Sequence, residues 1–354
     1  MQQTGDEIRL TQYSHGGGCG CKIAPAVLEE ILKTNTVQPD NDKLLVGNSS
    51  NDDACAYDLG NGTALISTTD FFTPIVDDAY DYGRIAAANA ISDVYAMGGR
   101  PIVAIAVLGW PVEKLPATLA KKVIEGARTI CNEAGIPLAG GHSIDAAEPF
   151  FGLSVNGIAD IPHLKRNNTA QAGDILFLTK PLGVGVLSTA QKRGLATPVE
   201  RVAMVAQMAA LNKAGEALGK IAGVHAMTDV TGFGLLGHLT EMAGGSSLSA
   251  EIHYSRLHIA EGVAAYLQQQ VRPDATTRNW NAYSSQTSFA PGVDVMQAFN
   301  LLPDPQTNGG LLVAVAPEAV DEVKQALIEH GLNNHLEPIG RMVQREEKTV
   351  VVKQ

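Results

Sequence analysis

Two sets of residues in this chain are suited to chemistry. One is the stretch Ser14-His15-Gly16-Gly17-Gly18-Cys19-Gly20-Cys21-Lys22, and the other is the aspartates Asp52, Asp53, Asp70, Asp93 and Asp229. The first packs four glycines, two of the four cysteines, a histidine and a lysine into nine residues. A glycine run costs chain entropy, so it needs a purpose. A loop that carries a thiol and a cation to a ligand supplies one. His15, Lys22 and the positive end of a helix starting near Pro25 would each favour thiolate over thiol, so Cys19, or else Cys21, is expected to be reactive. Lys22 is placed for a phosphate contact or a charge-stabilising role. Cys19 and Cys21 are separated by a single residue and no second close-spaced Cys/His pair exists, so structural zinc is not expected.

Taken singly, Asp52 or Asp70 is an ordinary turn or cap residue, because a short carboxylate bonds readily to nearby backbone. The set reads differently because of Asp93. Ala86, Ala90, Asp93 and Met97 follow a 4-3-4 spacing along one helix face, with Asn89 at its border. A carboxylate among small apolar residues is costly unless a cation meets it. Several such groups converging would repel unless protonated or bridged, and Mg²⁺ between carboxylates and a polyphosphate is the simplest bridge. Glycine turns at Gly140-Gly141 and Gly309-Gly310 would add backbone N–H donors for phosphate oxygens. The phosphate loop of nucleotide hydrolases is excluded, since Cys21 separates Gly20 from Lys22. The G-x-G-x-x-G fingerprint fails because Cys21 occupies its third glycine position.

The elements that must position these groups follow from periodicity and punctuation. Ile8–Tyr13 reads as a short strand, and Ala24–Leu32 as a helix with Pro25 in its first turn. The strand Ala64–Phe72 carries Asp70 near its end, and the helix Tyr82–Met97 is stopped by Gly98-Gly99-Arg100-Pro101. Pro101–Gly109 is a continuous apolar run, expected to be a strand buried on both faces. An amphipathic helix over Leu115–Ala134, a polar glycine turn over Ala139–Asp145 and a strand over Phe150–Ile158 complete the first half. The second half holds a strand over Ile175–Lys180, helices between Val199 and Leu218, and a strand over Val224–Asp229 ending in Thr-Asp as at Asp70. It continues with a helix over Leu235–Met242, a polar loop over Asp274–Ser288, a turn over Asp304–Gly310 leading into the strand Leu311–Val315, and closing strands at 337–343 and 348–353. The expected division is a flexible segment over 1–48, a domain over 49–160, a linker over 161–173 and a second domain over 174–354.

With 354 residues, 45% hydrophobic and 18% charged, the chain has the composition of a two-domain globular protein. A net charge of −11, from 26 basic and 37 acidic residues, argues against a nucleic-acid partner. The polar, acidic start does not resemble a signal peptide and the apolar stretch Pro101–Val112 is too short to span a bilayer, so a cytoplasmic protein without a membrane partner is expected.

In this order, the loop Ser14–Lys22, Asn51-Asp52-Asp53-Ala54, Ser67-Thr68-Thr69-Asp70-Phe71-Phe72, Asn89-Ala90-Ile91-Ser92-Asp93, Ala96-Met97-Gly98-Gly99, Ala139-Gly140-Gly141-His142-Ser143, Thr228-Asp229-Val230-Thr231-Gly232-Phe233-Gly234 and Asp304-Pro305-Gln306-Thr307-Asn308-Gly309-Gly310 resemble the motifs of the selenophosphate synthetase family. The ordered set carries the resemblance, which runs from Thr11 to about Leu312. It implies a two-domain α/β (α+β) fold of the aminoimidazole-ribonucleotide-synthetase (PurM-like) type. The N-terminal sheet domain would form a homodimer interface, and a C-terminal mixed sheet would be packed with helices. The implied reaction takes ATP, selenide and water to selenophosphate, AMP and orthophosphate with Mg²⁺; a selenium-delivery protein is a further partner it suggests. By the same resemblance Cys19 is the nucleophile and Lys22 acts with it and with the nucleotide. Asp53, Asp93 and Asp229 match Mg²⁺ ligands, while Ser50, Asn51, Asp52, Asp70, Asp93 and Gly141-His142-Ser143 match nucleotide contacts. Two alternatives stand beside it: another ATP-dependent enzyme of this fold would need the aspartates without Cys19 and Lys22, and a non-catalytic selenium or sulfur carrier would need Cys19 and Cys21 without the aspartates.

Overall fold

A computed structural model of the chain describes residues 8–14, 16–23, 25–33, 41–47 and 52–354. The side chains of Cys19 and Cys21, and all of His15, Ser50 and Asn51, lie outside that description. Among the described residues, the N-terminal sheet has six strands: β1 (Leu44–Val46), β2 (Cys55–Asp58), β3 (Thr63–Phe72), β4 (Arg100–Trp110), β5 (Leu138–Asp145) and β6 (Phe150–Asp160). Their spatial order is β1-β2-β3-β6-β4-β5, antiparallel throughout except for the parallel pair β4–β5. Helix α1 (Pro25–Leu32) precedes the sheet, and α2 (Ala79–Ala96) and α3 (Ala117–Glu133) join its core.

Helix α2 begins three residues earlier than the apolar pattern suggests because Asp78 caps it, its side chain accepting from Asp81 N at 2.9 Å. It ends where Gly98 adopts φ 72°, with Gly98 N donating to Tyr95 O and Gly99 N to Val94 O. Gly83 lets α2 touch α3 backbone to backbone: a Cβ there would stand 1.9 Å from Val123 O. Gly83→Ala is therefore expected to destabilise the protein by about 3 kcal/mol, read as a lowered thermal midpoint. An unchanged midpoint would show that the two helices can separate freely.

The C-terminal sheet has seven strands: β7 (Ile175–Leu178), β8 (Val224–Asp229), β9 (Ser249–His253), β10 (Thr287–Phe289), β11 (Leu311–Val315), β12 (Gly340–Val343) and β13 (Val350–Lys353). Their order is β10-β13-β9-β12-β7-β11-β8, with β10–β13 and β13–β9 parallel and the remainder antiparallel. Helices α4 (Val184–Lys192), α5 (Pro198–Ala209), α6 (Ala214–Gly219), α7 (Gly234–Gly245), α8 (Val263–Gln268) and α9 (Asp274–Tyr283) belong to this half. One face of the sheet buries Ala250, Ile252, Val350 and Val352 in the same core as Leu235, Leu236 and Leu239 of α7. The opposite face packs Phe177, Met227 and Val313 against Ala214 and Leu218 of α6. Helix α2 is the pivot between the halves, since it touches α5, α6 and β8 as well as its own sheet. Among the described residues, no helix is long and apolar enough to cross a membrane.

Four local expectations are corrected. Leu10–Tyr13 is a 3-10 turn rather than a strand: Leu10 is fully buried, and Thr11 and Arg9 are tied to Asp77, so tertiary anchoring overrides strand propensity. Asp274–Tyr283 is a helix rather than a loop, with Ala275, Thr276, Asn279 and Tyr283 on its buried face. Two of those four are polar, and the Asn279 amide is satisfied by Gly232 O and Pro303 O, so hydropathy alone gives no period there. Ala139–Asp145 is not a turn; it lies in the exposed edge strand β5, paired to β4. Finally, β4 is not buried on both faces. Ile105 is 44% exposed on an outer surface it shares with Phe71 on β3 and Ile144 on β5.

Candidate active site

Side chains from β3, α2, β8 and the turn before β2 converge where the two halves meet. Strand alternation puts Thr68 and Asp70 on the inner face of β3 with Ala64, Ile66 and Phe72. Opposite them, Asn89 and Asp93 stand one turn apart on α2 and face the strand. Thr68 Oγ1 donates to Asp93, and Asn89 Nδ2 donates to Asp70 Oδ2 at 2.7 Å. The remaining carboxylates are tied across the halves. Thr228 Oγ1 on β8 donates to Asp53 Oδ1 at 2.9 Å, and Ser92 Oγ on α2 donates to Asp229 at the end of β8. Asn212 Nδ2 fixes Ser92 from the other side, donating to its Oγ at 2.8 Å and to Gly309 O at 2.9 Å.

The electrostatics of the cluster are strained. Burial raises the Asp53 carboxyl well above the usual carboxylate range, and the charges of Asp229 and Asp93 raise it further. Asp93 is raised in the same way, first by burial and then by Asp229 and Asp70, against the opposing pull of Thr68 and Lys22. Burial pushes Asp229 up to about 6, with Ser92 and Lys22 working against it. Two cations answer the aspartates. Lys22 Nζ lies 3.7 Å from Asp70 Oδ2. Lys180 is fully enclosed, donates to Ala210 O and Asn308 O, and is pushed down to about 7 by burial even though Asp229 favours its charge.

The donors present fit a hard divalent cation. They are carboxylate oxygens, and Asp53 Oδ2 is buried without a hydrogen-bond partner, which is the state of an atom awaiting a ligand. Among the described residues, no three His, Cys, Asp or Glu side chains close into a ready-made cage. A Mg²⁺ site completed by water and phosphate oxygens does not require one.

Comparison with known proteins bears on this arrangement. The family model described as AIR synthase related protein, N-terminal domain, matches residues 51–159, and its C-terminal counterpart matches residues 171–353. A HypE–HypF complex has the same fold, with a TM-score of 0.68 and 19% identity over 92% of this chain and 96% of that one. A selenide, water dikinase of Photorhabdus laumondii is 53% identical over 346 residues, which is 98% of each chain. Another from Escherichia coli K12 is 54% identical over 96% of each. The chain belongs to the selenide, water dikinase family.

In this selenide, water dikinase family member the expected site residues fall into three groups. Asp53, Asp70, Asp93, Asp229 and Lys22 are brought together, while Asp52 sits at the margin, its Oδ1 accepting from Asn167 N at 2.7 Å. Gly141, His142 and Ser143 are not brought in. Gly141 pairs with Ala106, Ala106 with Leu153 and Leu153 with Asp70, so three strand spacings, about 14 Å, separate Gly141 from Asp70. Ser50, Asn51 and the thiols of Cys19 and Cys21 lie outside the described residues. The other cysteines differ in kind: Cys55 is exposed, whereas Cys131 is buried and its thiol is pushed up to about 11.

Sequence reasoning missed the uncharged partners and Lys180. Ser92 and Thr228 each adjoin an aspartate already singled out, which is a usable local signal. Asn212 and Lys180 offer none, because they reach the site only through the packing of α2 against the second half. Asn308 belongs to a noted turn, but its role is visible only in three dimensions. At φ 48° its N–H donates to Asn89 Oδ1 and its amide to Met208 O and Ala210 O, joining the turn to α2.

Proposed function

We propose that this chain converts ATP, selenide and water to selenophosphate, AMP and orthophosphate, as its family membership indicates. The observation that carries the assignment to this site is the meeting of Asp53, Asp93 and Asp229, from three elements and both halves of the molecule, in front of Lys22. Buried carboxylates that repel one another are poor structure and good ligands for a cation that brings a polyphosphate with it. Asp53, Asp93 and Asp229 would hold Mg²⁺, which when bound supplies charge neutralisation for the transferring phosphoryl group. Asp70 and Asp52 flank the nucleotide, and Asn89, pinned between Asp70 and the Asn308 N–H, fixes the rotamer of the former. Lys22 meets the phosphate charge from the loop side, and Cys19, three positions earlier in the same loop, handles selenium.

A second copy of the chain completes the site in this proposal. The outer face of the N-terminal sheet exposes Phe71, Ile105 and Ile144, and an apolar surface of this kind marks an interface. Dimerisation there would let the Gly141-His142-Ser143 segment of a second copy reach the nucleotide that its own chain places too far away. A selenium-delivery protein as donor and a cytoplasmic setting, where thiols stay reduced, belong to the same proposal.

The test is phosphorus NMR of the products from Mg-ATP with and without selenide. Selenide-dependent AMP with a new phosphorus–selenium signal is the expected result. ATP turnover indifferent to selenide would transfer the chain to another ATP-dependent reaction of this fold, and absence of turnover would leave it a carrier.

A further inference from the structure

Beside the aspartates lies a second ionisable cluster, contributed wholly by the C-terminal half. Glu241 on α7 is largely buried. Its Oε1 lies 3.5 Å from the Tyr283 hydroxyl on α9, and its Oε2 lies 3.5 Å from His238 Nδ1 one turn earlier on its own helix. Both contacts sit at the outer limit of a hydrogen bond, so the carboxylate keeps acceptor capacity for a ligand. His238 is fixed as a neutral ring: its Nε2 accepts from Thr231 N at 3.1 Å, which leaves the proton on Nδ1, facing Glu241. Phe233 walls the cluster, with its ring 5.9 Å from His238 and 6.2 Å from Tyr283.

The cluster is aimed at the glycine loop. Arg278, on the same helix as Tyr283, donates to Gly20 O at 2.8 Å, so α9 carries the Gly18–Cys21 turn on its surface. Lys22 follows that turn, and its charge is felt at both Glu241 and His238. The ammonium that pairs with Asp70 in the N-terminal half thus also lowers the Glu241 carboxyl in the C-terminal half.

We infer that Glu241 is the proton acceptor on the selenium side of the site, held by His238 and Tyr283 beside the helix that carries the glycine turn. This rests on the selenophosphate reading. The hydroselenide anion, HSe⁻, carries one proton that the product must shed. As a selenium lone pair forms the bond to the γ-phosphorus, the bond from phosphorus to the ADP oxygen breaks and its electron pair leaves with ADP. The Se–H electron pair stays on selenium and the proton passes to the Glu241 carboxylate. Burial pushes Glu241 up to about 7, with Lys22 and Tyr283 acting against a larger rise, so the group can both accept and release a proton near neutrality. The ionisable groups that act on it are His238 on its own helix, Tyr283 on α9 and Lys22 on the loop. Strands β9 and β13 supply only the apolar Ala250, Ile252, Val350 and Val352 to the core beneath it.

The experiment uses the full chain with Mg-ATP and selenide, following selenophosphate across pH. Wild-type kcat is expected to rise with pH through a limb near 7. Glu241→Gln is expected to lower kcat about 100-fold, to keep KM for ATP within about two-fold, and to remove that limb. Glu241→Asp should recover part of the rate with the limb present. A Glu241→Gln enzyme that keeps the wild-type limb overturns the inference alone, as does one whose ATP affinity falls in step with kcat. A wild type that forms no selenophosphate overturns the reaction itself and the inference with it.

Discussion

Asp53→Asn is expected to stabilise the metal-free protein while reducing selenide-dependent ATP turnover by at least about 10³-fold. The two effects share one cause. Asp53 keeps one oxygen on Thr228, and its other oxygen is buried without a partner among the charges of Asp229 and Asp93. Asparagine can retain the first contact and turn the second atom into an N–H donor facing two carboxylates. The gain is expected to be about 1–3 kcal/mol in the presence of a chelator. The sign with pH follows from the raised carboxyl. In the folded state Asp53 holds its proton to higher pH than in the unfolded state, so its contribution to stability declines as pH climbs above about 4. Wild type and variant should therefore converge below that range and diverge above it. Thermal melts in chelator across pH read this out. A variant less stable than wild type at neutral pH would show that the carboxylates do not repel, and would remove the physical case for a cation among them.

Cys19→Ser is expected to abolish selenophosphate formation, by at least about 10³-fold, while Mg-ATP binding stays within about two-fold. A serine hydroxyl is scarcely ionised at neutral pH and is a poor partner for selenium, whereas a cysteine three residues from Lys22 in sequence has access to the thiolate. The aspartates proposed to hold Mg-ATP sit on β3, α2, β8 and the turn before β2, none of which belongs to the loop. Calorimetric titration with Mg-ATP and phosphorus NMR of the products separate the two properties. Loss of nucleotide affinity in Cys19→Ser would assign the loop to ATP binding and not to selenium.

The aspartate set was legible because each member lies at a point where local structure is itself legible. Asp70 ends an alternating strand, Asp93 interrupts a face of alanines, and Asp229 closes a buried run. The 4-3-4 spacing on α2 placed Asn89 beside that face, and the structure shows Asn89 and Asp93 meeting Asp70 and Thr68 across it. Helix α9 was not legible, because two of its four buried positions are Thr276 and Asn279 and a period written in polar residues leaves no trace in hydropathy. The exposure of β4 was hidden for the converse reason: an apolar run reads the same whether a helix or a second copy of the chain covers it.

Local periodicity and punctuation thus determined most of the strands and helices and singled out the aspartates, since these depend on residues a few positions apart. The loop Ser14–Lys22 was marked as chemical by composition alone. Only the tertiary structure decided which of these groups share a site. Asp229 meets Ser92 across 137 residues and Thr228 meets Asp53 across 175. Gly141 stays three strands from Asp70 because β6 and β4 intervene, and the glycine turn rests on α9 through Arg278 and Gly20 O. Such pairings are set by how two sheets and one shared helix pack, a property of the whole chain that no short window of sequence contains.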